Sequence, residues 1–246
     1  MDDKLFSLSL DKVLNEAKAQ NGIGTLSEKT IHAVLKNYYS TKESQQEQKV
    51  NSYVADILMG SHIIEIQTRN FNTLRRKLDA FLPNYEVTIV YPIAHTKWLR
   101  WLNEDTGEIS PKRKSPKTGT KYQVFKELYK IKPYLSDPNL HIRIVLLDVE
   151  EYRLLNGWSK DKKKGSTRND GIPVAFNEEI NILTWKDYKE FLPSDLPDTF
   201  TVADYKKKTK LSTSEAGTAL NILKHLNVIN HIGKQGRAFL YERNIL

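Results

Sequence analysis

The residues with the clearest chemical potential are two carboxylates on either side of a short turn. Asp56 lies ahead of Gly60-Ser61, and Glu65 follows it. Paired carboxylate oxygens suit Mg²⁺ and Mn²⁺, which assist phosphodiester hydrolysis by polarising a phosphoryl oxygen and lowering the pKa of a water molecule. The pair therefore predicts a divalent-metal site. The alternative is a solvated polar face without a ligand.

The pattern around these residues predicts a β-hairpin. Two strands, Val50–Leu58 and His62–Thr68, flank Gly60-Ser61, which suits a two-residue turn. In this register Asp56 stands opposite Glu65, while the reverse face of the hairpin is apolar. Directly opposed like charges destabilise a sheet, so this arrangement favours either strong solvation or a bound cation.

Other elements follow from the periodicity and the breaker residues. The spacing predicts a loop at Ser40–Glu47, a buried strand at Glu86–Ile93 and a strand pair with a basic return within 97–121. It also predicts helices at Ile31–Tyr38, Asn70–Leu82 and Tyr122–Tyr134. In the helix at Asn70–Leu82, Phe71, Leu74, Leu78 and Phe81 are expected to point inward, and Arg75, Arg76 and Lys77 outward.

An acidic residue, eight intervening residues and Glu-x-Gln-Thr resemble the metal-binding hairpin of the PD-(D/E)xK nucleases. The resemblance covers about residues 25–95 and includes the order helix, hairpin, helix, buried strand. It implies a restriction-endonuclease-like α/β (α+β) core with a mixed central sheet. It also implies that Asp56 and Glu65 hold Mg²⁺ or Mn²⁺ and that Gln67 occupies the place of the family's lysine.

Gln67 carries no charge, so another residue would have to supply the missing cation. Lys36 on the preceding helix is preferred over Lys49 and Arg69, and His32 shares its flank as a further catalytic candidate. His32 is otherwise a structural or capping histidine. The glutamine leaves two hypotheses open, an active nuclease and a core that only binds.

Two basic segments, near 111–121 and 157–171, are expected to be loops. Such clusters suit phosphate-backbone contacts, where each neutralised phosphate releases counterions. The alternative is solvated loops. The predicted contact residues are Lys112, Arg113, Lys114, Lys162, Lys163, Lys164 and Arg168.

Residues 200–243 resemble a winged-helix domain. Prolines at 193 and 197 mark the predicted boundary, which divides the chain into a nuclease-like domain at 1–195 and a winged-helix domain at 196–246. The resemblance implies that the second helix enters the major groove and that the wing contacts the backbone. By position, the residues facing DNA would be Ser214, Thr218, Lys224, Lys234 and Arg237. Winged helices also serve as protein-binding modules, which is the alternative here.

Composition and the absence of certain motifs exclude several other classes of protein. The 246 residues carry a formal charge of +8, which suits a phosphate-bearing partner, and they include no cysteine. No Walker-type loop, Gly-x-Gly-x-x-Gly or secretory signal occurs, and no apolar run is long enough to span a membrane. A cytoplasmic bacterial protein is expected.

The combined expectation is a DNA-binding, Mg²⁺-dependent, endonuclease-like hydrolase. The alternatives are an inactive nuclease-like DNA-binding or regulatory protein, and an interaction module of a defence or mobile-element system. Two-fold palindromic cutting would require a homodimer.

Overall fold

The computed structural model describes residues 2–19, 30–103, 105–155 and 167–244. The α-helices in these ranges are Asp3–Ala19 (α1), Thr30–Tyr39 (α2), Arg75–Phe81 (α3), Phe125–Leu128 (α4), Val202–Thr209 (α5) and Thr213–His225 (α6). Short 3-10 helices lie at Glu43–Gln45, Phe71–Leu74, Lys121–Val124, Tyr129–Tyr134 and Trp185–Phe191.

The central element is a mixed seven-stranded sheet. Its strands are Gln46–Val50 (β1), Tyr53–Met59 (β2), His62–Ile66 (β3), Glu86–Leu102 (β4), Arg113–Lys114 (β5), Leu140–Leu154 (β6) and Thr167–Ile182 (β7). Their order is β1-β2-β3-β4-β6-β7, and β5 pairs with β4. Strand β3 pairs antiparallel with β2 and parallel with β4, which makes the sheet mixed. The expected α+β class with a mixed central sheet is confirmed.

A smaller sheet completes the C-terminal part of the described chain. It is formed by Thr199–Thr201 (β8), Ile229–Gln235 (β9) and Ala238–Arg243 (β10), in the order β8-β10-β9. Helices α5 and α6 begin with capping boxes at Thr201 and Ser212, whose side chains accept backbone N–H groups in the first turn. The predicted helix–helix–two-strand order is therefore present, and β8 is an additional strand.

Contacts divide the chain into two compact units. The first contains residues 1–48, 92–120 and 145–179, and the second contains 49–91, 121–144 and 180–246. In the first unit, Phe6 packs edge-on against Tyr38 and Phe176. In the second, Phe71 and Phe81 are fully buried. The domain boundary at 195–196 stays a prediction.

Each of the three predicted loops was wrong in part. Gln46–Val50 forms a strand where a loop was expected to reach Glu47. The basic residues Arg113 and Lys114 form a strand opposite Leu99 and Trp98, and β7 begins at Thr167, inside the second predicted loop.

The predicted helix at Tyr122–Tyr134 is broken into a 3-10 turn, the four-residue α4 and a second 3-10 segment. Ile131 departs from helical backbone angles there, and Pro133 follows it. Among the described residues, no helix is both long and apolar enough to cross a membrane.

Candidate functional site

The hairpin of β2 and β3 has the predicted register. Ile57 pairs with Ile64, and Met59 pairs with His62 across a turn in which Gly60 adopts φ +61°. This left-handed backbone conformation favours glycine. Ala55, Ile57, Ile64 and Ile66 are buried, as expected for the core side of the hairpin.

The two candidate metal ligands are neighbours on this hairpin. The Asp56 carboxylate oxygen Oδ2 accepts the backbone N–H of Ile66 at 2.7 Å, which holds Asp56 beside the residue that follows Glu65. The proximity is also electrostatic, because the Asp56 charge helps to raise the pKa of Glu65.

Glu65 is the unusual member of the pair, because only 2% of its surface is exposed. Its Oε2 atom lies 2.7 Å from Nζ of Lys77, whereas its Oε1 atom is buried and has no hydrogen-bond partner within the part of the chain that the structure describes. Burial and the nearby Asp56 raise the pKa of Glu65 to about 7, although Lys77 acts in the opposite direction. An unsatisfied buried carboxylate oxygen costs free energy, so this position favours an incoming cation.

Lys77 is the functional candidate that the sequence reasoning missed. It was expected to point outward from the helix, but its side chain is 25% exposed and reaches Glu65 from α3. Helical spacing could have indicated that Lys77 lies beside the buried face. Lys77 follows Leu74 by three residues and precedes Phe81 by four, and both of these residues are buried.

Gln67 was predicted to occupy the family's lysine position. Its amide Nε2 donates instead to backbone oxygens of the following loop, at Arg69 and, at 3.5 Å, Asn70. It also lies 3.3 Å from Oγ1 of Thr73. The amide nitrogen is thus engaged in holding the turn between β3 and the next helical segment.

Lys36, the preferred source of the missing cation, lies on α2 in the first unit, while Asp56 and Glu65 belong to the second. Lys36 is 7% exposed, and its Nζ lies 2.6 Å from Oε1 of Glu47. His32 is half-buried on the same helix.

The basic segments contribute to strand surfaces of the first unit. Nζ of Lys112 and Nζ of Lys114 lie 5.3 and 5.8 Å from the ring centre of Trp98 on β4. Arg113 is exposed on β5, and Arg168 contacts Glu151 at 3.5 Å. Lys162, Lys163 and Lys164 lie outside the described residues.

The candidate DNA-reading residues of α6 lie in the second unit. Ser214 and Thr218 line a cleft of about 580 Å³ together with Tyr122, Lys126 and Tyr129. Ser214 and Thr218 therefore face other residues of their own unit across this cleft.

The remaining predicted contacts of the C-terminal segment are exposed. Lys224 lies in the last turn of α6, and Arg237 lies between β9 and β10. Lys234 places its Nζ 5.6 Å from the ring centre of Phe239.

The chain is similar to an "Uncharacterized protein" of Treponema pallidum (strain Nichols), with 28% identity over 232 residues that cover 90% of this chain and 87% of that protein. No solved structure matches. A family model described as "Domain of unknown function (DUF8091)" matches residues 29–183, a stretch that includes the hairpin, α3 and the basic strand surfaces. The chain therefore belongs to this DUF8091 family.

Proposed function

We propose that the hairpin is the metal site of a phosphodiesterase acting on DNA, with Asp56 and Glu65 as the ligands of Mg²⁺ or Mn²⁺. The observation that carries this proposal is the buried Oε1 of Glu65, which lacks a hydrogen-bond partner among the described residues and belongs to a carboxylate beside Asp56. A divalent ion would satisfy that oxygen and relieve the repulsion between the two carboxylates.

The donor set fits a magnesium-like ion. No group of three or more acidic or histidine ligands is found in the part of the chain that the structure describes. Mg²⁺ is commonly held by one or two carboxylates, with waters and substrate phosphates completing its shell. Two carboxylates therefore suffice for an ion whose coordination shell is completed by waters and the substrate. When bound, the ion would polarise a phosphoryl oxygen and lower the pKa of a water molecule.

Lys77 supplies the positive charge that the glutamine at position 67 lacks. Its ammonium is held by Oε2 of Glu65 at 2.7 Å, so its position is fixed before the substrate binds. A fixed cation stabilises the negative charge that develops on a phosphoryl group during hydrolysis. We therefore assign the charged role to Lys77 and a loop-holding role to Gln67.

The C-terminal segment is proposed to be a winged-helix-like DNA-binding module. The order of α5, α6, β9 and β10 supports this proposal, as do the exposed positions of Lys224 and Arg237. Charges at such positions would neutralise backbone phosphates and make binding salt-dependent. Cutting both strands of a palindromic site would need two copies of the chain.

The test is a cleavage assay with supercoiled plasmid and single-stranded DNA in Mg²⁺, in Mn²⁺ and in EDTA. The parent protein should nick DNA only with metal, and Asp56→Asn should lose this activity. Asp11→Asn is the matched control, because Asp11 is exposed on α1 in the other unit. Equal cutting by the parent and Asp56→Asn would contradict the assignment.

A second candidate function is metal-independent DNA binding by a core that no longer cleaves. The uncharged Gln67 in the family's lysine position favours it. This candidate predicts a salt-sensitive gel shift in EDTA and no cutting with either metal.

A further inference from the structure

Three cationic side chains meet one buried carboxylate on neighbouring strands of the first unit. Glu151 on β6 is 2% exposed, and its Oε1 accepts from Nε and Nη2 of Arg153 at 2.8 and 2.6 Å. Its Oε2 lies 3.6 Å from Nζ of Lys97 on β4 and 3.5 Å from Nε of Arg168 on β7. One glutamate thus fixes groups from three strands of the sheet.

The cluster is not electrically balanced. Burial by itself would raise the pKa of Glu151, but Lys97, Arg153 and Arg168 together hold it below its ordinary value. Glu151 is therefore ionised at neutral pH, and among the residues that the structure describes its one negative charge faces three positive charges. A purely structural ion-pair network has no need of this excess, because uncompensated cations repel one another.

The three cations also reach solvent. The exposed fractions of their side chains are 35% for Lys97, 29% for Arg153 and 51% for Arg168. Arg153 donates twice to Oε1, while Lys97 and Arg168 contact Oε2 only at 3.5–3.6 Å. Donors of this kind match the oxygens of a phosphate group, which guanidinium and ammonium groups bind with charge-assisted hydrogen bonds.

We propose that Lys97, Arg153 and Arg168 form a phosphate-binding site in which Glu151 is the positioning residue. The phosphate belongs either to a nucleic-acid backbone or to a terminal or free phosphate, and the same donors suit both. This phosphate site adds a specific contact to the proposed DNA binding. It rests on the proposed function only for the source of the phosphate. It needs neither the hairpin carboxylates nor a metal.

The positioning role of Glu151 predicts a change in affinity opposite to the change that net charge alone predicts. Glu151→Gln makes the protein more positive, which by itself would strengthen its binding to a polyanion. Without the carboxylate, however, three repelling cations lose their common anchor and their preorganised geometry. The substitution should therefore weaken binding to a phosphate-bearing strand by about fivefold.

The experiment measures the affinity of a labelled oligonucleotide by fluorescence anisotropy in EDTA across a series of salt concentrations. Glu178→Gln is the charge-matched control, because Glu178 is exposed on β7 of the same unit. A second variant, Lys97→Gln with Arg168→Gln, changes side chains that reach solvent and should lower the slope of log affinity against log salt by about 2. Thermal melting confirms that each variant is folded.

Two further measurements distinguish the source of the phosphate: the affinity with and without a 5′-phosphate, and the binding of inorganic phosphate. A backbone phosphate predicts equal affinity with and without a 5′-phosphate, whereas a terminal or free phosphate predicts weaker binding of the dephosphorylated strand and direct calorimetric binding of inorganic phosphate. Unchanged affinity in the double variant, or tighter binding by Glu151→Gln than by Glu178→Gln, would overturn the proposal. Because the assay contains no metal, a failure of the nuclease proposal leaves this result unaffected.

Discussion

Nζ of Lys77 lies 2.7 Å from Oε2 of Glu65, so the helix that follows the hairpin delivers a cation to the candidate metal site. The PD-(D/E)xK resemblance assigns a charged residue to position 67, which follows Glu65 by two residues and lies directly after β3. In the proposed site the charge comes from Lys77 on α3, and Gln67 holds the loop that leads to this helix. Under the proposed function, a residue of α3 thus takes the charged role that the resemblance places directly after β3.

The proposed role of Lys77 predicts a large loss of activity when its charge is removed. Lys77→Met keeps a similar chain length but eliminates the ammonium, so the metal-dependent rate of DNA nicking should fall about 100-fold. Lys77→Arg should restore part of this rate. Arg76→Met is the matched control, because Arg76 is exposed on the same helix. Nicking by Lys77→Met at the control rate would show that Lys77 does not supply the catalytic charge.

The raised pKa of Glu65 predicts a pH-dependent stability without metal. Its folded pKa of about 7 lies above the ordinary value of 4.5, so the folded state favours the protonated carboxyl group. The stabilisation is complete below pH 4.5 and is lost as the pH rises through 7, at a cost of about 3 kcal/mol.

Urea unfolding in EDTA across this pH range measures the effect. The free energy of unfolding should decrease from low to high pH in the parent, and Glu65→Gln should remove most of that decrease. If both proteins show the same pH dependence, the buried carboxyl group at position 65 is not its source.

Much of the hairpin was predictable because its pattern is strictly local. Alternating apolar residues and Gly60 define the strands, the register and the buried face. The contact between Glu65 and Lys77 was harder to predict, because it joins a strand to a helix twelve residues away. Periodicity places Lys77 at the edge of the buried stripe but does not identify the group it meets.

The loop predictions that proved wrong share a physical cause, because strand pairing in the sheet overrode local composition. Arg113 and Lys114 suggested a loop, yet they pair with β4 and border Trp98. The polar residues of Gln46–Val50 suggested a loop, yet they form β1 at the end of the strand order, where two residues of the strand are exposed and two are half-buried. The cluster around Glu151 unites β4, β6 and β7, and no local spacing encodes such a set.

The winged-helix proposal predicts phosphate contacts by the turn between β9 and β10. Lys234→Ala combined with Arg237→Ala should weaken binding to duplex DNA and lower the salt slope by about 2. The control is Lys4→Ala combined with Lys42→Ala, which replaces two exposed lysines of the first unit and changes the net charge by the same amount. A gel-shift series across salt concentrations measures both pairs. Equal effects in the two pairs would indicate that overall charge, rather than this turn, determines affinity.

The most direct test of the central claim is a calorimetric titration of the metal-free protein with Mn²⁺ at about pH 8, above the pKa of Glu65. The parent should bind about one ion per chain, and Asp56→Asn and Glu65→Gln should each lose this binding while Asp11→Asn keeps it. Absence of Mn²⁺ binding by the folded parent, or equal binding by all four proteins, would contradict the assignment of the hairpin as a metal site.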